Sequence, residues 1–241
     1  MQNQPKAIFF GGPSGSGKSY TIKRLPFKGF EVINSDDVYE ELLKKSGIGL
    51  NQKNFTPEKL SLAAKLNAQA RKETQEKLIK SMEGKINLVI DGTGGSVNPI
   101  LKKKQELETL GYKCLMVMLY VSPLTSLERN EKRDRSLIPT IILRNWRDVN
   151  KNIGDFRTIF GDNFILINNE PKEAVKGFSK ELIEPFLKRS SAVGKPKTPE
   201  EQSKSNSEKE ILNKEIEQMV KNLPKFNTLE DTKTKLNNFI K

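Results

Sequence analysis

The chain alternates between short apolar runs and longer stretches in which apolar and polar residues mix at helical spacing. Five of the runs are rich in β-branched and aromatic residues, as buried strands are, and they lie at residues 7–10, 30–33, 86–90, 114–121 and 164–167. Three of the segments between them open with a polar residue directly before proline, which favours a helix start, at Thr56, Asn98 and Ser122. The alternation predicts an α/β fold with a mainly parallel sheet, helices on both faces, and ligands beyond the carboxyl ends of the strands.

One predicted helix is longer than a sheet needs for cover. Residues 57–83 contain no glycine or proline after the first position, and their apolar stripe consists of Leu62, Leu66, Ala70, Leu78 and Met82. A helix of this length extends about 40 Å. We therefore expect part of it to project toward a substrate or a partner.

The composition changes after Arg189. Residues 190–207 are rich in Ser, Lys, Pro and Glu, which predicts a flexible linker between a domain at residues 1–189 and a tail at residues 208–241. The tail carries two apolar stripes at helical spacing, made of Leu212, Ile216, Met219, Val220 and Leu223, and of Leu229, Leu236, Phe239 and Ile240. Thr228 and Asp231 have the spacing of a helix cap. Two such helices cannot bury their apolar faces alone, so they must pack on the domain, on a second copy or on another protein.

Composition narrows the chemistry. The chain has no His and a single cysteine, Cys114, which excludes an internal disulfide, Ser-His-Asp and Cys-His catalysis and the common zinc sites. Catalysis must therefore use carboxylates, lysine, arginine and hydroxyls. Nothing resembles a signal peptide or a membrane span, so we expect a cytoplasmic protein without membrane contact. The net charge of +12 suits a polyanionic partner, although it is equally typical of a surface that only keeps the protein in solution.

The first predicted strand runs directly into a glycine-rich motif of the form G-x-x-x-x-G-K-S. Its members are Gly12, Pro13, Ser14, Gly15, Ser16, Gly17, Lys18 and Ser19. Glycines let the backbone turn tightly, so that its amides and the following helix N-terminus surround phosphate oxygens. We expect Lys18 to hold the β- and γ-phosphates of a nucleotide and Ser19 to bind Mg²⁺.

Acidic residues follow the second and third predicted strands. Asp36 is placed to accept the proton of an attacking hydroxyl, and Asp37 is the favoured cap of the next helix; capping alone is the other explanation for this pair. Asp91 is placed to position Mg²⁺ or to contact the acceptor. Thr93 and the two glycines after it allow close approach to a substrate, and a plain turn explains them equally well.

Basic residues follow the fourth predicted strand. Arg129 and Arg133 are four residues apart and share a helix face, within a predicted lid at about residues 122–152. Cations on a lid stabilise the charge of a transferred phosphoryl group, whereas interspersed glutamates also fit a solvated helix. We include Arg135 among the nucleotide-binding residues.

Together these motifs resemble the polynucleotide 5′-hydroxyl kinases and the zeta-toxin-type kinases over residues 6–170. The motifs that carry the resemblance are residues 12–19, 34–37, 91–93 and 129–133, followed by Ile138-Pro139 and a helix. The resemblance implies a three-layer P-loop kinase fold with a five-stranded parallel sheet, and the use of ATP and Mg²⁺. It also implies that Lys18 and Ser19 contact phosphates and metal, that Asp36 is the base, and that Arg129 and Arg133 contact the donor phosphates.

The chain departs from this pattern three residues after Asp36. Both families usually have an arginine there that binds substrate phosphate, and this chain has Tyr39. We assign Tyr39, Asp37 and Thr93 to the acceptor side.

The leading hypothesis is transfer of the ATP γ-phosphoryl group to an alcohol: a polynucleotide 5′-hydroxyl, a nucleoside or a nucleotide sugar. A second hypothesis is a nucleotide-regulated binding or assembly module that recruits a protein partner, or a second copy, through residues 208–241. A third, a nucleic-acid-binding protein that only retains the fold, is disfavoured by dispersed basic residues and few aromatic ones.

Overall fold

A computed structural model describes residues 4–25, 27–51, 55–133, 137–171 and 199–240. Its five strands are β1 (Lys6–Gly11), β2 (Phe30–Ile33), β3 (Asn87–Asp91), β4 (Lys113–Tyr120) and β5 (Phe164–Asn168). They form one parallel sheet in the order β2-β3-β1-β4-β5. The predicted five-stranded parallel sheet is confirmed, and each strand lies within one residue of its predicted bounds.

Seven helices accompany the sheet within residues 4–171 as far as they are described. They are α1 (Lys18–Arg24), α2 (Ser35–Ser46), α3 (Pro57–Glu83), α4 (Val97–Thr109), α5 (Pro123–Glu131), α6 (Pro139–Lys151) and α7 (Ile153–Phe160). Thr56 and Ser122 cap α3 and α5 as predicted. Helix α4 begins two residues before the predicted proline start, after Ser96, because the first turn of a helix needs no amide donor and tolerates Pro99.

Alternate side chains of the sheet enter two separate cores. Phe9, Met116 and Leu166 pack on one face with buried residues of α3 to α7, whereas Ile8 and Leu115 pack on the other face with α1. Strand side chains point alternately to opposite faces, so a parallel sheet covered on both sides needs apolar residues throughout. This arrangement confirms the three-layer α/β architecture.

The long helix α3 performs two tasks. Its N-terminal half does not project freely, because Ala63 and Ala70 pack against Tyr39 and Leu43 of α2 in a third apolar cluster. Its middle turns face the carboxyl edge of the sheet, where Leu78 reaches the lining of a large cavity. The C-terminal half of α3 therefore lines the cavity, whereas α2 covers its beginning; the expectation that part of α3 projects toward a substrate or a partner stays a prediction.

Two further helices, α8 (Pro199–Lys221) and α9 (Leu229–Ile240), form the C-terminal tail. Ile216 of α8 is fully buried in the first core, and Phe239 of α9 is 3% exposed in the second. Between the helices, Asn227 donates its backbone amide to the Leu166 carbonyl at 2.8 Å and accepts the Leu166 amide on Oδ1 at 2.8 Å. The tail thus crosses the edge strand β5 and places one helix on each face of the sheet.

The structure of the tail shows where its apolar stripes pack and corrects the end of the predicted linker. Its apolar stripes pack on the domain itself, and Thr228 and Asp231 form the predicted cap by mutual hydrogen bonds of 3.2 and 3.1 Å. Helix α8 begins at Pro199, so residues 199–207 belong to it and not to a linker; proline at a helix start followed by helix-forming Glu and Gln explains the earlier start. The remainder of the predicted linker, and the boundary at residue 189, lie outside the described residues.

None of the helices that the structure describes is both long and apolar enough to cross a bilayer.

We expect Ile216→Ala to lower the free energy of unfolding by about 2–4 kcal/mol, because it leaves a cavity beneath α8. Ile211 lies on the same helix and is 59% exposed, so Ile211→Ala is the matched control and should change stability by less than about 0.5 kcal/mol. Urea unfolding of both variants measures the difference. Equal, small effects would show that the tail does not pack on the domain in solution.

Candidate active site

The glycine-rich motif forms the turn between β1 and α1. Gly12, Gly15 and Gly17 all have positive φ angles, of 146°, 77° and 88°. A Cβ atom at Gly12 would lie 2.6 Å from the Leu119 carbonyl oxygen, and one at Gly17 would lie 2.5 Å from the Asn169 amide nitrogen. Only glycine fits both the backbone conformation and these close approaches. The turn is therefore the P-loop that its sequence predicts.

Hydrogen bonds within the protein engage the carbonyl oxygens of the P-loop. Five successive carbonyl oxygens each accept a bond from a different donor. Two donors are local: Lys18 Nζ binds the Gly12 oxygen at 2.7 Å, and the Ser16 amide binds the Pro13 oxygen at 3.1 Å. Three are distant side chains: the Ser126 hydroxyl binds the Ser14 oxygen, Arg129 Nη1 the Gly15 oxygen at 2.9 Å, and Asn169 Nδ2 the Ser16 oxygen at 2.8 Å. The amides of residues 15 and 17–19 have no acceptor within the described part of the chain. Unpaired amides at a helix N-terminus form a nest for an anion.

Three residues that sequence reasoning missed help to shape this loop. Ser126 and Asn169 bind its carbonyls, and Asn145 of α6 accepts the Ser14 amide on Oδ1 at 3.1 Å. These residues lie far along the chain from the glycine motif, so no local pattern marks them. Their contacts arise only when α5, α6 and the end of β5 fold over the loop.

Lys18 and two acids face one cavity of about 900 Å³ at the carboxyl edge of the sheet. Lys18 is half-buried, and its loss of water contact lowers the pKa of the ammonium, while the nearby carboxylates of Asp91 and Asp36 act in the opposite direction. Asp36 lies in the first turn of α2 and lines the same cavity. The structure therefore brings together the predicted phosphate-binding lysine and the predicted base.

Asn34 fixes the positions of both acids. Its Oδ1 accepts the Asp36 backbone amide at 2.8 Å, which makes Asn34 the cap of α2, and its Nδ2 donates to Asp91 Oδ2 at 3.0 Å. The prediction that Asp37 is the cap is wrong, because Asn34 starts the helix earlier. Asp37 lines a neighbouring cavity of about 400 Å³ with Ser19 and Asp91, and it does not line the larger one.

Asp91 has the environment of a cation ligand. Its Oδ1 is buried and has no hydrogen-bond partner within the described residues. Burial raises the pKa of Asp91 to about 6; the Lys18 ammonium opposes the rise, and Asp36 and Asp37 add to it. Asp91 and Ser19 line the same small cavity, and a carboxylate with a hydroxyl fits Mg²⁺, which binds kinases through one or two protein oxygens, phosphates and water. The described residues contain no cluster of three or more acidic or cysteine side chains that could hold a metal ion by itself.

The two arginines of the predicted lid differ in their contacts. Arg129 lines the cavity but uses its guanidinium to hold the carbonyls of Gly15, at 2.9 Å, and Asn169, at 3.2 Å. Arg133 is exposed and lines the cavity, and its charge also lowers the Lys18 pKa. Arg135 lies outside the described residues. Arg129 thus shapes the phosphate loop directly, and Arg133 presents its charge to the cavity.

Of the residues predicted to contact the acceptor, Thr93 lies at the cavity and Tyr39 does not. Thr93 lines the cavity, and its carbonyl accepts the Gly12 amide at 2.8 Å. Tyr39 is only 5% exposed and packs in the apolar cluster between α2 and α3, so the structure does not bring it to the cavity. Its aromatic ring is more favourably buried against α3 than placed among phosphates.

The half of the cavity beyond the P-loop has walls from two helices that sequence reasoning did not assign to the site. Helix α3 contributes Arg71, Thr74, Gln75 and Leu78, and helix α4 contributes Pro99, Ile100 and Lys103. The α3 residues recur at positions i, i+3, i+4 and i+7, so they share one helix face. That spacing was visible in the sequence, but a solvated face has the same appearance.

Comparisons with known proteins identify the relatives of this chain. The sequence model of the Zeta toxin family matches residues 1–160. The chain is 26% identical over 190 residues to a UPF0200 protein of Thermococcus onnurineus, covering 75% of this chain and 97% of that protein. It resembles the AvrRxo1-ORF1:AvrRxo1-ORF2 complex with a TM-score of 0.50 and 15% identity, covering 90% of this chain and 79% of that one. A structure from the PezAT toxin–antitoxin system of Streptococcus pneumoniae gives a TM-score of 0.48 and 21% identity, covering 80% and 87%.

The family match extends over about two thirds of the sequence, so the chain belongs to the Zeta toxin family. This confirms the resemblance to zeta-toxin-type kinases that the four motifs indicate, and it assigns the chain to the P-loop phosphotransferases in general. The likeness to the AvrRxo1 complex supports the fold alone. The matched region ends before α8, so the tail lies outside the family pattern.

We expect Asp91→Asn to stabilise the protein at pH 8 in the absence of ATP and Mg²⁺. Asp91 has a pKa of about 6 in the folded state against 3.8 ordinarily, so the folded state binds the proton more tightly than the unfolded state does. The parent therefore loses stability as pH rises through 6, and the variant does not. The difference between the two pKa values corresponds to about 2–3 kcal/mol.

Urea unfolding at pH 4.5 and pH 8 measures this effect, with Asp162→Asn, at an exposed acid, as the control. The difference in the free energy of unfolding between Asp91→Asn and the parent should be larger at pH 8 than at pH 4.5. An equal difference in the free energy of unfolding at both pH values would contradict a raised pKa of Asp91 in the folded state.

Proposed function

We propose that this member of the Zeta toxin family transfers the γ-phosphoryl group of ATP to a hydroxyl group of an acceptor held in the outer half of the cavity. The observation that carries the proposal is the meeting of the P-loop amides, Lys18, Asp36 and Asp91 around one cavity. A carboxylate beside a phosphate nest suits group transfer, because it can accept the proton of an attacking hydroxyl.

Each residue has a defined part in the proposed reaction. The P-loop amides and Lys18 bind the β- and γ-phosphates, and Ser19 with Asp91 holds Mg²⁺, which when bound neutralises charge on the phosphates. Asp36 accepts the proton of the acceptor hydroxyl as the new O–P bond forms and the bond between the γ-phosphorus and the β–γ bridging oxygen breaks, releasing ADP. Arg133 offers a further positive charge from the exposed side of the cavity.

The geometry also bears on the acceptor. Arg71 and Lys103 stand on its side of the cavity, and Lys103 is already paired with Glu106 at 2.7 Å. The arginine that relatives place three residues after the base is absent, and α3 supplies Arg71 in the acceptor half instead. We propose that Arg71 binds a negative group of the acceptor. Among the three acceptor classes, this favours those that carry phosphate, namely nucleotide sugars and polynucleotide ends, over free nucleosides.

We expect Asp36→Asn to lower kcat by about 10²- to 10⁴-fold, the usual contribution of a general base, while the ATP Kd stays within about twofold. Transfer of labelled phosphate from ATP to polynucleotide 5′-hydroxyl ends, nucleosides and nucleotide sugars provides the measurement, with Lys18→Ala as the blank. Glu41→Gln, at an exposed acid of the same helix, is the matched control and should retain parent activity.

Turnover of Asp36→Asn at the parent rate would remove Asp36 as the base. The alternative of a nucleotide-regulated binding module gives a different result in the same assay: ATP binds to the parent, and no acceptor in the panel becomes phosphorylated.

We expect Arg71→Ala to raise the acceptor KM about tenfold or more with little change in the ATP KM, because a charge-assisted hydrogen bond to the acceptor contributes about 1.5–3 kcal/mol. Lys72 neighbours Arg71 on α3 but does not line the cavity, so Lys72→Ala is the control. Equal acceptor KM values for the two variants would refute a contact between Arg71 and the acceptor.

A further inference from the structure

Helix α6 lies between the P-loop and the C-terminal tail. On one side Ile141 and Asn145 line the cavity, and Asn145 Oδ1 accepts the Ser14 amide at 3.1 Å. On its inner side Trp146 is fully buried and donates its indole N–H to the Val121 carbonyl at 2.7 Å. A displacement of α6 therefore moves an acceptor of the P-loop backbone.

Helix α8 contacts the remaining side of α6. Two ion pairs join the helices, Arg144 to Glu208 at 3.2 Å and Arg147 to Glu215 at 2.9 Å. Beneath them, Ile216 is fully buried in the same core as Trp146. Polar contacts at the surface and apolar contacts below thus fix α8 against α6 along the same interface.

The segment that follows α8 is anchored to α7 and to the sheet. Arg157 Nη2 donates to the Lys225 carbonyl at 2.9 Å, and Asn227 forms its two bonds with Leu166 of β5. The Phe226 ring packs against Tyr120 with centroids 5.2 Å apart. Helix α8 is therefore held at one end by strands of the sheet and presents its side chains to α6 from a fixed position.

We propose that α8 positions the ATP site through α6, with Glu215 and Arg147 as positioning residues that keep Asn145 against the P-loop. Asn145 in turn fixes the Ser14 amide and so the path of the loop that carries the unpaired amides. Because the family match ends at residue 160, this support comes from a part of the chain that the family pattern does not include. The inference rests on the proposed function only in requiring that the P-loop binds ATP.

A double-mutant cycle on binding tests the proposal without turnover. The probe is an imido-bridged ATP analogue with Mg²⁺, titrated by calorimetry at a temperature where every variant is folded. We expect Glu215→Arg to raise the Kd about fivefold, the upper range for loss of an exposed ion pair, and Asn145→Ala to raise it at least as much. The double variant should bind no more weakly than Asn145→Ala alone, because both changes act through one contact.

Two further variants make the result specific. Arg147 also pairs with Asp148 at 2.9 Å, so the charge at position 147 is kept, and Glu215→Asp, which retains the carboxylate opposite Arg147, should leave the Kd within about twofold of the parent. Glu41→Lys breaks an exposed pair with Lys45 on α2 and should leave the Kd unchanged.

Several results would overturn the proposal. An unchanged Kd for Glu215→Arg, even with a lower melting temperature, would make α8 a purely structural addition. Additive effects in the cycle would show that the tail does not act through Asn145. A parent that binds no analogue at all would refute the proposed function, and the inference with it.

Discussion

The site depends on a P-loop backbone whose successive carbonyl oxygens are already hydrogen-bonded within the protein. A glycine-rich turn can adopt many conformations, and an inward carbonyl would repel a phosphate. Here the donors that hold the carbonyls come from Lys18 and from distant residues, with Ser126, Arg129 and Asn169 lying 112, 114 and 153 positions away along the chain. The anion nest is therefore a product of tertiary structure, and it exists only when α5 and the end of β5 are in place.

The positions of Asp36 and Asp91 depend on a second constraint, the hydrogen bonds of Asn34. Asn34 joins the start of α2 to the end of β3 and so sets the spacing of Asp36 from Asp91. Asp91 is kept in a buried position that favours its neutral form, where a cation restores the charged form. A buried carboxylate oxygen without a hydrogen-bond partner lowers the stability of the fold, and such exceptions to stable folding are expected at functional sites. Under the proposed function, this loss of stability falls where phosphates and metal would bind.

Features that depend on only a few neighbouring residues could be predicted from the sequence. The five strands, the P-loop and the cap at Thr228 follow from apolar runs, a fixed glycine spacing and a four-residue motif, each of which acts over a few residues. The prediction of Asp37 as a cap was wrong because Asn34, directly after β2, caps the helix instead, and the path of the chain from β2 into α2 decides where the helix begins. Asn145 and Asn169 were missed because an isolated asparagine carries no signal of a contact more than a hundred residues away. Arg71 was missed because its helix face resembles a solvated one.

The C-terminal tail contacts all of these parts, since it pairs with the edge strand β5, contributes to both cores and packs against α6, which carries Asn145. The most direct test of the central claim is a crystal structure of the full chain with Mg²⁺ and an imido-bridged ATP analogue. We predict that the phosphates lie against the amides of residues 15 and 17–19, with the metal between Ser19 and Asp91 and the γ-phosphate facing Asp36 across open space. A nucleotide bound elsewhere, or a γ-phosphate directed away from Asp36, would contradict it.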